Sequence, residues 1–204
     1  MNFTVRLSSG RSPEQAAQVH LPLPGIHNAA NALAAVAAAV GAGVPLAAAA
    51  AALASFQGME RRLAAFKLKN MLIIDDAYNA NPTSFKAALA VLAACSAQRK
   101  FVVAGDMLEL GAEAEPCHKK LGEHLAEISP AGLVAVGPLA ALACQTAAKQ
   151  GNMACHWVDS PEAAAECIYS LMCDGDAVLI KGSHSVGLDR TVVKLKQLFD
   201  LKNV

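Results

Sequence analysis

Apolar and polar positions along this chain follow two different periods. Phe3, Val5 and Leu7 alternate with polar neighbours, and Val19, Leu21 and Leu23 alternate again. A period of two predicts a pair of short strands, with the polar stretch 8–12 as their turn. Pro24-Gly25 stops the second strand. A helix is then expected from about His27-Asn28, with Leu33, Val36 and Val40 on one face. Gly41-Ala42-Gly43-Val44 ends it and Pro45 can open the next, whose buried side Leu46, Leu53 and Phe56 mark. Two strands and two apolar helices do not close a core, so this segment reads as the tail of a larger domain.

From Arg62 the rhythm changes. Short apolar runs at 71–74, 101–104, 133–136, 154–158 and 177–180 alternate with helical stretches near 84–97, 116–128, 138–150, 161–173 and 186–200. That alternation predicts an α/β fold, a mostly parallel Rossmann-like sheet with helices on both faces. Residues 63–69 add a possible antiparallel edge strand. Ligands of such sheets bind where the strands end. Here the ends carry Asp75-Asp76, Gly105-Asp106, Gly137, Asp159 and Lys181-Gly182-Ser183-His184. No G-x-G-x-x-G follows any strand, which disfavours a dinucleotide fold.

Composition narrows the function classes. Lys+Arg and Asp+Glu are 17 each, so the chain has no basic excess with which to displace counterions from nucleic acid. The basic residues near the end (Arg190, Lys194, Lys196, Lys202) read as a solvated helix face. Residues 21–59 contain no charged side chain, but the Gly-Pro break leaves neither half with the ~20 strongly apolar residues of a membrane span. None of the six cysteines forms C-x-x-C, and no signal peptide is expected from the first residues. The reading is of reduced, mostly buried thiols in a cytoplasmic protein.

Four short motifs carry candidate chemistry. In Gly25-Ile26-His27-Asn28-Ala29-Ala30-Asn31, Asn28 and Asn31 lie three apart on one helix face. Their amides suit an adenine edge, or Asn28 simply caps the helix. In Asp75-Asp76-Ala77-Tyr78-Asn79-Ala80-Asn81-Pro82, one carboxylate can face a ribose or a hydrated Mg²⁺ while the other holds the loop. Asn81 or Thr83 can equally cap a helix opened by Pro82. Gly105-Asp106-Met107-Leu108-Glu109-Leu110-Gly111, with His118 following, is a glycine-flanked loop with two acids, a common turn pattern in itself. Lys181-Gly182-Ser183-His184 suits a carboxylate or phosphate at a helix start, or is an ordinary turn capped by Ser183 or Ser185.

Taken in order, G-x-H-N-x-x-N-A, an Arg-Leu, D-D-A-Y-N-A-N-P, G-D-M-L-E-L-G and K-G-S resemble the Mur ligase family over essentially the whole chain. The match is to the branch that joins D-alanyl-D-alanine to UDP-N-acetylmuramoyl-tripeptide in peptidoglycan synthesis. The resemblance implies that residues 1–58 are the tail of the central ATPase domain and 62–204 the C-terminal Rossmann-like domain. It implies His27, Asn28 and Asn31 near adenine, Arg62 (or Arg61) at ATP's phosphates and Asp76 on the ribose. It places Lys181, Ser183 and the start of the last helix at the incoming dipeptide, with Tyr78, Asn79, Asn81, Asp106 and His184 on the same side. The family's chemistry runs through an acyl phosphate made from ATP with Mg²⁺, closed off from water by domain movement. Two features depart from the pattern. No G-K-[ST] occurs, so the phosphate and metal ligands of a P-loop are missing and the chain alone is expected to be inactive. His184 stands where the family usually has Arg. Other readings are a stand-alone non-catalytic module that binds a nucleotide or a partner, and a Mur-type ligase for a different amino acid.

Overall fold

The structure is a computed structural model that describes residues 1–8, 14–150 and 153–201. Most of the expected 8–12 turn, and Lys202, lie outside the described residues. The chain divides into two compact units, Met1–Gly58 and Met59–Val204.

In the first unit β1 (Asn2–Leu7) and β2 (Gln15–His20) pair antiparallel, Val5 opposite Ala17 and Phe3 opposite Val19. They are followed by α1 (Ile26–Gly41) and α2 (Leu46–Ala52). A small core does close, contrary to the expectation from the pattern. Val5, Val19 and Leu21 meet Ala32 and Val36 of α1 and Leu46, Ala49 and Ala50 of α2. Alanine supplies three of these eight residues, which lets helices and hairpin approach closely. The apolar stripe differs from the pattern at two points: Leu33 and Phe56 are 46% and 43% exposed. Buried Ala29, Ala32 and Val36 define the true face of α1, one step round from Leu33.

The second unit is a six-stranded sheet in the order β3-β4-β8-β5-β6-β7. Its strands are β3 (Ala64–Leu68), β4 (Met71–Asp76), β5 (Lys100–Gly105), β6 (Gly132–Val136), β7 (Ala154–Val158) and β8 (Ala177–Lys181). β3 is the antiparallel edge; the other neighbours run parallel. The central strands are apolar throughout because both faces are covered. Ile74, Val102, Leu133 and Leu179 face a core with α3 (Pro82–Ala94), α4 (Ala114–Ile128) and α5 (Pro138–Gln150). Ile73, Val103, Val134 and Ile180 face a second core with α6 (Pro161–Leu171) and α7 (Asp189–Leu201). α4 and α5 pack so tightly that a Cβ on Gly122 would lie 2.4 Å from the Ala143 carbonyl oxygen.

All six thiols are free, and only Cys144 is buried; Cys173 is exposed. The expectation of mostly buried cysteines is corrected on that point, because the thiols sit on helix flanks and the outer strand β7. Burial pushes the Cys144 thiol up to about 12. No described helix is long and apolar enough to cross a membrane.

Candidate functional site

The chain order and the sheet order differ at one place. β8, last in sequence, lies between β4 and β5. The loops after β4 and β5 lead to helices on one face, whereas the loop after β8 leads to α7 on the other. Diverging loops open a crevice at the carboxyl ends of these three strands, the position at which open α/β sheets bind ligands.

Strand alternation sends the two acids at the end of β4 to opposite faces. Asp75 accepts the Ala77 N–H at 3.1 Å. Burial holds its carboxyl above the ordinary range, opposed by that N–H and by Arg61. Asp76 accepts the Leu63 N–H at 3.0 Å on one oxygen and meets Lys181 Nζ at 2.6 Å on the other. Lys181 also donates to the Asn79 carbonyl at 2.9 Å and is 1% exposed. Burial pulls its ammonium below the usual lysine range, while Asp76 draws it part of the way back. Lys181, expected to meet a dipeptide, is instead an internal tie between β8, β4 and the loop after β4. An unpaired ammonium could not be buried so deeply, and Asp76 supplies the partner.

Three other expected site residues prove to organise the crevice. Asn81 is the N-cap of α3 in a reciprocal box with Ser84, at 2.8 and 3.0 Å, and Pro82 opens the helix. Asp106 accepts the Ala140 N–H at 2.6 Å and so caps the start of α5. Gly137, at φ 103°, makes this approach possible, since a Cβ there would lie 2.6 Å from the Asp106 carboxylate. Asp106 is thus turned towards α5 rather than into the crevice. The Ser183 hydroxyl accepts the Leu108 N–H at 2.9 Å, and the Ser183 N–H donates to the Asp106 carbonyl at 3.0 Å. These bonds tie the loop after β8 to the loop after β5. His118 anchors that loop from below. Its Nε2 accepts the Met107 N–H at 2.9 Å, and its Nδ1 lies 2.7 Å from the Ala114 carbonyl. Those partners require the neutral tautomer with the proton on Nδ1. The last helix, expected from near 186, begins later. His184–Val186 is a single 3-10 turn, and α7 begins only at Asp189.

What these ties leave open is a cleft of about 200 Å³ lined by Tyr78, Asn79, Leu108, Glu109, Ser183, His184 and Ser185. The exposed Tyr78 ring carries the Arg62 guanidinium at 4.0 Å and lies 6.1 Å from the His184 ring. Arg61 turns away to Asp189 at 3.3 Å. Of the two arginines, Arg62 is therefore the one beside the cleft. The sequence offers Leu108 and Glu109 only as members of the 105–111 run, and Ser185 only as a turn cap. Their signal was the glycine-flanked acidic loop, too common a pattern to decide alone. Glu109 holds a left-handed backbone, φ 63°, which costs a residue with a Cβ roughly 1 kcal/mol.

His27, Asn28 and Asn31 lie in the first unit. Gly25, not Asn28, is the N-cap of α1. Asn28 donates its side-chain amide to the Pro24 carbonyl at 2.7 Å and accepts from Asn31 at 3.3 Å, so the two amides form one exposed row. Among the described residues no three His, Cys, Asp or Glu side chains come close enough to hold a metal ion.

Residues 59–184 match the family described as "Mur ligase, glutamate ligase domain". The chain belongs to the Mur ligase family. It is similar to the UDP-N-acetylmuramoyl-tripeptide–D-alanyl-D-alanine ligase of Escherichia coli K12, at 38% identity over 92% of this chain and 41% of that protein. The protein of the same name from Treponema pallidum is 34% identical over 90% of this chain and 40% of its own. A crystal structure of MurF from Acinetobacter baumannii superposes with a TM-score of 0.80 at 34% identity, covering 89% of this chain and 40% of that one. MurF from Thermotoga maritima, solved in complex with ADP, shares the fold (TM-score 0.78, 24% identity, covering 93% of this chain and 42% of that one). The chain thus spans about 40% of the length of the curated relatives it matches.

Proposed function

We propose that this chain is the acceptor-side part of an ATP-dependent ligase that joins D-alanyl-D-alanine to UDP-N-acetylmuramoyl-tripeptide. The observation that carries this reading is the 38% identity to a ligase of that name over 92% of the chain, both compact units included. In this reading residues 1–58 belong to the central ATP-binding domain and 62–204 form the C-terminal domain, in the bacterial cytoplasm.

The cleft over β4, β8 and β5 receives the dipeptide. At about 200 Å³ it is smaller than the roughly 300 Å³ at which pockets for drug-sized ligands begin, and it suits a dipeptide better than a nucleotide. Asn79, Ser183, Ser185 and His184 offer polar groups, Leu108 an apolar wall and Tyr78 a flat one. His27, Asn28 and Asn31 take the adenine side, and Arg62 the phosphates. Asp76 contributes to ribose binding only through lone pairs left over from two internal bonds, so its first task is to hold the loop. ATP supplies the activation of the tripeptide carboxylate as an acyl phosphate, with Mg²⁺ to which the described residues contribute no cluster of ligands. This chain's residues hold the dipeptide amine in line for attack and keep water away from it.

Calorimetry on the 204-residue chain tests the reading. D-alanyl-D-alanine should bind, and L-alanyl-L-alanine and D-glutamate should bind at least about tenfold more weakly. A preference for a single amino acid would assign the chain to a different ligase of the family. No binding of any of the three would remove the acceptor role.

A further inference from the structure

The cleft has one acidic side chain, Glu109. Glu109 has no hydrogen bond or ion pair to any described residue, and its side chain is exposed at the cleft. The backbone on either side is fixed. Met107 is held by His118, the Leu108 N–H by the Ser183 hydroxyl, and Gly111 begins a 3-10 turn. Between them Glu109 adopts φ 63°, a conformation that glycine takes without strain and glutamate does not. The loop therefore presents a carboxylate at a position whose backbone geometry favours another residue. Residues strained in this way concentrate at ligand sites, where the surrounding structure holds them in place.

We propose that Glu109 binds the ammonium group of the incoming substrate and is the residue by which the cleft selects a free amino terminus. This inference rests on the acceptor reading of the cleft. An unmodified dipeptide is a zwitterion, so a site for it needs an acceptor at one end and donors at the other. Glu109 is the only anion among the lining residues, and His184, Ser183 and Ser185 bring donors from the loop after β8. Two loops from different strands thus present complementary polarity to the two ends of one small ligand. The carboxylate accepts charge-assisted hydrogen bonds from an ammonium and none from an acetylated nitrogen at comparable strength.

The test is calorimetric binding of three probes to the whole chain: D-alanyl-D-alanine, its N-acetyl derivative and its C-terminal amide. The unaltered chain should bind the N-acetyl derivative at least about tenfold more weakly than the free dipeptide. In Glu109→Gln that ratio should fall to within about twofold, while the loss caused by C-terminal amidation stays unchanged. Glu109→Gly should erase the ratio equally. Because it relieves the left-handed strain, it should melt no lower than the unaltered chain, which separates recognition from folding. If the dipeptide binds but both variants keep the preference for a free amine, Glu109 is not the ammonium site and the acceptor reading stands without it. If none of the three probes binds the unaltered chain, the acceptor reading itself fails and this inference with it.

Discussion

Each end of the central sheet carries a cleft beside an ion pair that includes a buried aspartate. At the amino ends of β5 and β6 the cleft is the larger, about 250 Å³, walled by Gln98, Arg99, Lys100 and the 128–131 turn. Arg99 forks onto Asp176 at 3.1 and 2.6 Å and donates to the Leu171 carbonyl, and Lys100 donates to the Ala93 carbonyl. Both cations there are engaged, by a carboxylate and by carbonyls at helix ends. At the carboxyl ends of β4, β8 and β5 the cleft is smaller, and Lys181 and Asp76 are likewise consumed by each other. But there Glu109, His184, Tyr78 and Arg62 remain exposed around the opening. Cleft size alone favours the amino ends of β5 and β6. The end with polar groups still to be answered is also the end at which the diverging loops of a parallel sheet place a ligand.

The comparison is broken most severely by Lys181→Met. It leaves the Asp76 carboxylate buried without its partner and should cost about 3 kcal/mol in urea denaturation. Adding Asp76→Asn should recover part of that loss; a single-variant cost below about 1 kcal/mol would mean that the pair does not hold the loop.

At the other end, Asp176→Asn should cost about 2 kcal/mol, because Arg99 and the Cys173 N–H lose a charged acceptor. Burial pushes the Asp176 carboxyl up, but the bonds from Arg99 and the Cys173 N–H together outweigh it and hold the group below the ordinary carboxylate range. The folded form therefore binds its proton more weakly than the unfolded form. The contribution is complete above about pH 4 and is lost as pH falls through the depressed value. Denaturation of the variant should be less steep in pH below about 4 than that of the unaltered chain; identical acid limbs would contradict this.

A smaller effect is expected at the α3 cap. Asn81→Ala should lower stability by about 1 kcal/mol, and Asn81→Asp, which can still accept from Ser84, by less. Equal losses would remove the capping role. Smallest of all, His184→Arg should tighten binding of D-alanyl-D-alanine about threefold, since a guanidinium offers a carboxylate two parallel hydrogen bonds where imidazole offers one. Weaker binding would place His184 away from the carboxylate.

Much of the second unit was legible from local signals. The apolar runs marked every strand of the sheet, and the 63–69 edge strand appeared as Ala64–Leu68. Pro82 with Asn81 announced the start of α3. Contacts that join distant residues were not legible. Nothing in the spacing reveals that Lys181 pairs with Asp76, 105 residues away, or that β8 inserts between β4 and β5. For that reason the sequence shows Lys181 only as a cation at a strand end and Asp106 only as an acid in a loop, and not that one ties β8 to β4 and the other caps α5. In the first unit, alanine on every side of α1 leaves little contrast between faces, so the pattern points to the larger Leu33 although Ala29 and Ala32 fill the core. Motif order along the chain identified the family, whereas the identity of the residues left free to act needed the fold.

The most direct test of the account is an amide-resolved NMR titration of the chain with D-alanyl-D-alanine. The account predicts shifts at Tyr78, Asn79, Leu108, Glu109, Ser183, His184 and Ser185, with Gln98, Arg99, Lys100, Ser129 and Ala131 unmoved. Shifts concentrated at the amino ends of β5 and β6, or saturable binding with none at the carboxyl ends of β4, β8 and β5, would contradict it.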